Sequence, residues 1–188
     1  MSTPTATIQD LEKEIMELKG KVRDLRKETP AEPVEDYEFV TASGTVRLSE
    51  LFGDKDELLI LHNMGKECSY CTLWADGING FIPHILTRAS FVMVNPNSPE
   101  VQAKVAASRG WNYKIVQDAE HRFSKDMNMF KDGEGFWPGM SAFVRDKEGK
   151  IYRKNYTYLG PGDDFCGIWF MWDLFGAETE WHPEPVKI

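Results

Sequence analysis

The first regular pattern of apolar positions lies near the amino end of the chain and has the spacing of a helix. Its members recur at intervals of three and four residues: Ile8, Leu11, Ile15, Leu18, Val22 and Leu25. Charged residues fill most other positions, and Thr7 with Asp10 resembles a capping box, so an amphipathic helix is predicted before Pro30. This spacing also fits a coiled-coil seam. Two interpretations follow: an arm that pairs two copies, or a single helix folded back on its own domain.

Beyond Pro30, short apolar runs alternate with helix-compatible segments. Strands or hairpins are predicted at residues 37–40, 45–48, 58–61, 91–94, 113–116, 141–145 and 150–153. Helices are predicted at residues 68–88, with an interruption near Gly77, Gly80 and Pro83, and at residues 98–109, 121–130 and 165–175. One helix separates the runs at 58–61 and 91–94, which predicts a parallel βαβ unit. We expect the strand at 113–116 to lie on an edge.

The order of these elements, βαβ, helix, β-hairpin and helix, indicates the fold class. We expect an α/β fold of the thioredoxin-like class, in which a mixed central sheet carries helices on both faces. Residues 1–30 are expected to form an amino-terminal helical arm, and residues 31–188 the thioredoxin-like domain. The last helix is expected to begin at a cap provided by Asp163 or Asp164.

Composition narrows the classes of partner. The chain has 188 residues, is 41% hydrophobic and carries a net charge of −8. That charge argues against nucleic acid or an anionic membrane as the main partner. The sequence contains no run of about 18 apolar residues, so no transmembrane helix is predicted. The first ten residues lack the apolar core of a signal peptide, so we expect a cytoplasmic protein.

The motif with the clearest chemical meaning is Cys68-Ser-Tyr-Cys71, which follows the apolar run 58–61 and a glycine-containing loop. Two cysteines at positions i and i+3 lie one turn apart when the first caps a helix, close enough to bridge. The unpaired N–H groups and positive dipole end of that helix stabilise a thiolate at Cys68. Strand, loop, Cys-x-x-Cys and helix in this order are typical of thioredoxin-like redox proteins.

The expected reaction is thiol–disulfide exchange with a protein or small-molecule thiol or disulfide. Cys68 attacks a disulfide, and the more buried Cys71 then attacks Cys68 to release the product. Lys66 favours the thiolate by its charge, whereas Glu67 opposes it. His62, six residues before Cys68, is a candidate base for Cys71. The alternative for His62, which we favour, is a core histidine with both nitrogens satisfied.

Other interpretations of the cysteines are weaker but stay open. Structural zinc needs two further ligands, and no second Cys-x-x-Cys or close histidine pair is present, so neither a metal nor an organic cofactor is expected. Cys166 is expected on the apolar last helix, as a small buried hydrophobe or a third redox partner. A non-enzymatic, dimeric thioredoxin-fold adaptor whose cysteines stay reduced is the second class of function.

A peroxiredoxin-like peroxide reductase is a less favoured alternative. The Pro-x-x-x-Thr-x-x-Cys pattern of peroxiredoxins is absent, because Leu61 and Gly65 occupy its proline and threonine positions. Thioredoxins also place a cis-proline opposite the disulfide. Pro138 lies near that place, but the hairpin register brings Met140 or Ser141 closer to it.

The residues also resemble a bacterial family of thioredoxin-like proteins, the domain of unknown function 899. The specific block is Cys68-x-x-Cys71-x-x-Trp74-Ala-Asp-Gly77, and nearly the whole chain shares weaker pieces: Asp36-Tyr-Glu-Phe39, Val46 to Gly53, Arg109-Gly-Trp111, Phe143-x-Arg145-Asp146 and Tyr158 to Asp164. The resemblance implies a thioredoxin fold and a dithiol–disulfide oxidoreductase activity.

Overall fold

A computed structural model describes residues 6–176 and 180–187. The chain divides into two compact units, residues 1–31 and 32–188. Within the described residues, no helix has the length and apolar character needed to cross a membrane.

The described part of the first unit, residues 6–31, contains the helix α1 (Ile8–Glu28). The expected capping box is confirmed: the Asp10 backbone N–H donates to Thr7 Oγ1 (3.2 Å), and the Thr7 backbone N–H donates to the Asp10 carboxylate (3.0 Å). Each seam residue from Ile8 to Leu25 is at least 47% exposed. The helix therefore carries an uncovered apolar stripe along its whole length.

The second unit is built on an eight-stranded mixed sheet. Its strands are β1 (Glu32–Pro33), β2 (Glu38–Thr41), β3 (Gly44–Arg47), β4 (Glu57–His62), β5 (Ser90–Asn95), β6 (Lys114–Gln117), β9 (Gly139–Arg145) and β10 (Ile151–Tyr158), in the spatial order β1-β10-β9-β4-β5-β6-β2-β3. A separate two-stranded ribbon pairs β7 (Phe130–Lys131) with β8 (Gly135–Phe136). The pair β4–β5 is parallel and the pair β9–β10 is antiparallel, which confirms the predicted βαβ unit and hairpin.

Helices cover both faces of this sheet. The helices of this unit are α2 (Leu48–Leu51), α3 (Ser69–Asn79), α4 (Ile82–Ile85), α5 (Pro99–Arg109), α6 (Arg122–Asp126) and α7 (Ile168–Asp173). One apolar cluster joins Leu58 and Ile60 of β4 to α2 and α6, whereas Leu61 of β4 belongs to a second cluster with α3, α4 and α7. Alternate residues of β4 thus face different layers, as the period of a strand requires.

Three sequence-based predictions about elements were wrong. The helix expected at 121–130 ends at Asp126, because Asn128 adopts a left-handed backbone (φ 60°) and the chain turns into β7. The strand at 113–116 is internal, because Gln117 of β6 also pairs with Val40 of β2.

The third concerns the last helix, expected at 165–175. It begins only at Ile168, behind Gly167, which makes no side-chain cap. The Asp163 carboxylate instead accepts from the backbone N–H groups of Gly160 (2.9 Å) and Phe165 (2.7 Å), in the turn before the helix. Cys166 lies in the short segment that follows this turn, ahead of α7.

Candidate functional site

Cys68 lies at the point where the chain leaves the sheet and enters α3. The turn after β4 passes through Gly65, whose φ of +102° favours glycine. Cys68 then has extended backbone angles (φ −90°, ψ 100°) and is the N-cap of α3. Its sulfur accepts a hydrogen bond from the Cys71 backbone N–H at 3.1 Å. A sulfur therefore occupies the place that serine or aspartate oxygens fill in ordinary helix caps.

The two thiols differ strongly in acidity. Hydrogen bonding to the Cys71 side chain, helped by the Cys71 and Tyr70 backbone N–H groups and opposed by partial burial, lowers the pKa of Cys68 to about 7. The same side-chain hydrogen bond, burial and the charge on Cys68 raise the pKa of Cys71 well above its ordinary value. Near neutral pH, the negative charge of the pair therefore resides on Cys68.

Exposure differs in the same sense. Cys68 is half-buried, whereas Cys71 is 2% exposed and belongs to the apolar cluster beneath α3. Both are free thiols. The Cys71 sulfur accepts a hydrogen bond from the Met64 backbone N–H at 3.4 Å. This arrangement can present one thiolate to solvent and hold a second thiol behind it.

The charges beside Cys68 nearly cancel. The Lys66 ammonium group contacts the Glu67 carboxylate, so its positive charge is compensated locally. The lowered pKa of Cys68 accordingly comes from hydrogen bonds at the helix end rather than from a neighbouring cation.

An aromatic surface adjoins the motif. The Tyr70 ring, between the two cysteines in sequence, stacks on Trp169 of α7 at 6.0 Å between centroids. The Tyr70 hydroxyl lies 3.0 Å from Nδ1 of His182, and Trp181 contacts Trp169 edge-on. The carboxy-terminal segment thus packs beside the residue that separates the cysteines. Sequence reasoning missed this contact, since 112 positions separate its partners.

His62 is held away from the cysteines. It lies on the same face of β4 as Ile60, stacked on Phe123 of α6 with 5.5 Å between ring centroids. Leu61, its neighbour, shares the opposite cluster with Cys71. Nε2 of His62 lies 2.9 Å from Ser141 Oγ, and Nδ1 is buried with no hydrogen-bond partner among the residues that the structure describes. Burial lowers the pKa of His62 to about 3, with a smaller effect from Arg153.

Two residues of the motif that follow Cys71, Trp74 and Asp76, attach α3 to the rest of the domain. Trp74 is buried in the cluster below the helix. Asp76 accepts a hydrogen bond from the Trp111 indole N–H (2.7 Å) and pairs with Arg109 at the end of α5. These contacts fix the position of the helix whose amino end carries the cysteines.

Cys166 is buried in the same apolar cluster as Cys71. Burial raises its thiol pKa. This environment is that of a small apolar side chain rather than of a reactive thiolate.

Opposite the motif, Met140 of β9 pairs with Leu61 and Gly139 pairs with His62. Pro138 comes immediately before this strand. No cis peptide bond occurs within residues 6–176 and 180–187. Over those same ranges, no three side chains of His, Cys, Asp or Glu come together as metal ligands would.

Comparisons with known proteins give the same fold. The model of a bacterial family of proteins of unknown function (DUF899) matches residues 5–179. Peroxidoxin BcpB of Mycobacterium tuberculosis is 22% identical with a TM-score of 0.56, over 68% of this chain and 84% of its own. Peroxiredoxin Q of Xanthomonas campestris is 12% identical with a TM-score of 0.59, over 76% and 92% of the two chains. No curated protein matches the sequence. The thioredoxin-like fold is thereby confirmed.

Proposed function

The chain belongs to the DUF899 family, and we propose that it is a thiol–disulfide oxidoreductase that uses Cys68 and Cys71. The observation that carries this proposal is the cap of α3, where the half-buried Cys68 sulfur accepts the Cys71 N–H at 3.1 Å. The pair thus combines a stabilised thiolate with a second thiol one helical turn away.

The exchange proceeds in two steps. The Cys68 thiolate attacks one sulfur of a substrate disulfide, so that a Cys68–substrate disulfide forms and the substrate S–S bond breaks. Cys71 then loses its proton and attacks the Cys68 sulfur, forming the Cys68–Cys71 disulfide and releasing the second substrate thiolate. Two electrons pass from the dithiol to the substrate. The opposite direction uses the same steps in reverse, and the potential of the pair decides which direction prevails.

His62 has no step in this scheme. Its ring packs against Phe123 on the other side of β4 from the Cys71 cluster. The Met64 N–H instead favours proton loss from Cys71, because it donates a hydrogen bond to the Cys71 sulfur at 3.4 Å and so stabilises the thiolate. A histidine in this environment serves packing, with Ser141 as its hydrogen-bond partner.

Pairing of two copies through α1 is a separate part of the proposal. The seam residues lie at heptad spacing and are exposed along all 21 residues of the helix. Burying such a stripe against a second copy is favourable by roughly 0.8 kcal/mol per methylene group covered. A homodimer would place two redox units in one assembly.

A redox titration with mass spectrometry tests the central proposal. The expected result is one reversible two-electron transition, with the oxidised form carrying a disulfide between Cys68 and Cys71. Replacing Cys68 with Ser should abolish reduction of a model disulfide, whereas Cys166→Ser should leave it unchanged. A pair that never bridges, and a Cys68 that alkylates no faster than free cysteine, would instead favour the adaptor function.

Peroxide reduction is the second candidate, favoured by the half-buried Cys68 thiolate within a fold that peroxiredoxins share. The thiolate would attack the O–O bond, leaving a sulfenic acid on Cys68 and releasing water or an alcohol; Cys71 would then form the disulfide and release water. Trapping that sulfenic acid in Cys71→Ser with dimedone, together with peroxide consumption above the rate of free cysteine, separates this activity from disulfide exchange.

A further inference from the structure

The turn between β4 and α3 is held by two side-chain amides, one in the segment that follows β4 and one in the segment that follows β5. Asn63 follows β4 directly and is buried. Asn97 follows β5 and reaches across from the neighbouring parallel strand. The carboxyl ends of adjacent parallel strands meet at one edge of the sheet, so both amides arrive at the base of the reactive turn.

Asn63 joins the turn to the helix. Its Oδ1 accepts the Gly65 backbone N–H at 2.7 Å, and its Nδ2 donates to the Cys71 carbonyl at 3.4 Å. Met64, between these two bonds, points its own N–H at the Cys71 sulfur. A short turn anchored on both sides in this way fixes the direction of that N–H.

Asn97 holds the other half of the turn. Its Oδ1 accepts the Lys66 backbone N–H at 2.8 Å. The Gly65 carbonyl then accepts the Cys68 N–H at 3.1 Å, which places Cys68 at the helix cap. Asn97 is itself fixed, because its backbone N–H donates to Asn95 Oδ1 at 3.0 Å.

The Asn95 amide is anchored in turn by α5. Gln102, which is buried, donates its Nε2 to the same Asn95 oxygen at 2.9 Å. Asn95 and Gln102 are both buried, so separating them would leave an amide unpaired at a desolvation cost, and this keeps their contact in place. The network therefore runs without a break from α5 to the backbone two residues before Cys68.

We propose that Asn63 and Asn97 are positioning residues, which keep the Cys68 sulfur on the Cys71 N–H and the Cys71 sulfur on the Met64 N–H. Neither amide touches a sulfur; each acts through the backbone of the turn. This inference rests on the proposed exchange reaction. It assigns the Cys71 N–H to the first step of that reaction and the Met64 N–H to the second step. Asn97 governs the first attack by Cys68, and Asn63 governs the second attack by Cys71.

The first test is the pH dependence of Cys68 alkylation by iodoacetamide in the full-length Asn97→Ala protein. Loss of the Lys66 anchor should raise the midpoint by about half a pH unit or more towards that of an ordinary thiol. The matched control is Asn79→Ala, at the opposite end of α3. The Asn79 side chain, like that of Asn97, bonds to backbone groups: its Nδ2 donates to the Gly110 carbonyl (3.0 Å) and its Oδ1 accepts the Asn112 N–H (3.1 Å). That variant should lose stability with no change of midpoint.

The second test uses 5,5′-dithiobis(2-nitrobenzoic acid) as the disulfide. Wild-type protein should release two thionitrobenzoate equivalents, the first when Cys68 is modified and the second when Cys71 displaces it. Asn63→Ala should slow the second release at least several-fold relative to the first. Because Asn63 is buried, thermal unfolding of Asn63→Ala is recorded alongside. If Asn63→Ala does not fold, Asn97→Ala still tests the proposal independently.

The outcomes separate a failure of the exchange reaction from a failure of the positioning roles. If wild-type protein never releases the second equivalent, the oxidoreductase proposal fails. If it does, but Asn97→Ala keeps the wild-type midpoint or the folded Asn63→Ala keeps the wild-type ratio of rates, the positioning roles are wrong while the exchange reaction stands.

Discussion

The sulfur of Cys68 lies 3.1 Å from the backbone nitrogen of Cys71, so the second cysteine supplies the N–H that stabilises the charge on the first. The same residue also contributes its thiol to the lowered pKa of Cys68. Charge on Cys68 in turn raises the pKa of Cys71. Cys68 therefore loses its proton before Cys71 as pH rises through neutrality, which is the order that a stepwise exchange requires.

The pH profile of Cys68 follows from this relationship. Alkylation of Cys68 should rise with pH through a midpoint near 7, because the thiolate is the reactive form. Replacing Cys71 with Ala should raise this midpoint, since the thiol hydrogen bond is lost while the backbone N–H remains. Peptide mapping of iodoacetamide adducts between pH 5 and pH 9 measures both. A wild-type midpoint at or above 8.5 would contradict the stabilised thiolate.

The environment of His62 predicts that this residue makes the stability of the fold depend on pH, and that it does not affect the pH dependence of Cys68 reactivity. Its folded-state pKa is lowered to about 3, so between pH 6.5 and pH 3 the unfolded chain binds a proton that the folded one does not. The free energy of unfolding should therefore fall as pH falls through that window, by up to about 1.4 kcal/mol per pH unit.

Replacing His62 with Gln checks this, because Gln does not titrate and still reaches towards Ser141. Urea unfolding from pH 4 to pH 7 should show a shallower dependence in the variant. The Cys68 alkylation profile should stay that of the wild type, and a shifted profile would revive His62 as a base.

Much of the site was predictable because it is local in sequence. Cys68 and Cys71 are three positions apart, and an apolar run followed by a glycine-containing turn is enough to place them at a helix end. The hairpin 141–153 is equally local. The face on which His62 lies was not readable, because β4 is buried on both sides and shows no alternation of apolar and polar residues.

Contacts between distant residues left no sequence signal. Asn97 reaches the turn before Cys68 from another strand, and the Val40–Gln117 pair makes β6 internal. Helix α6 is short because Asn128 turns the backbone so that Met127 and Met129 both enter the core. The only sequence signal of this early end was that the apolar residues Met127 and Met129 lie two positions apart, a spacing typical of a strand rather than of a helix.

The exposed seam of α1 predicts self-association. The double replacement of Leu11 and Leu18 with Lys introduces charges at seam positions and should convert a dimer into a monomer. Light scattering with size-exclusion chromatography measures the mass. Met16→Lys is the matched control, since Met16 is exposed but lies off the seam. A wild-type protein that is monomeric at high micromolar concentration would exclude the dimer arm.

Two glycines near the motif should respond in opposite directions to the same change. At Gly65 a Cβ would lie 3.0 Å from Asn97 Oδ1, and its φ of +102° disfavours any L side chain. Gly65→Ala should therefore destabilise the fold by about 1–3 kcal/mol and raise the Cys68 alkylation midpoint, since the turn and the Asn97 contact are both disturbed.

At Gly77, inside α3, an added Cβ would meet no described atom within 4 Å beyond its chain neighbours and the helix's own backbone, and the backbone is helical. Gly77→Ala should stabilise the protein by about 0.5–1 kcal/mol and leave the midpoint unchanged, because alanine removes the entropic cost of a helical glycine. Urea unfolding and alkylation of the two variants side by side separate strain in the turn from a general effect on the helix. A Gly65→Ala protein with wild-type stability and a wild-type alkylation midpoint would mean that the turn accepts another backbone conformation. The positioning roles of Asn63 and Asn97 would then be contradicted.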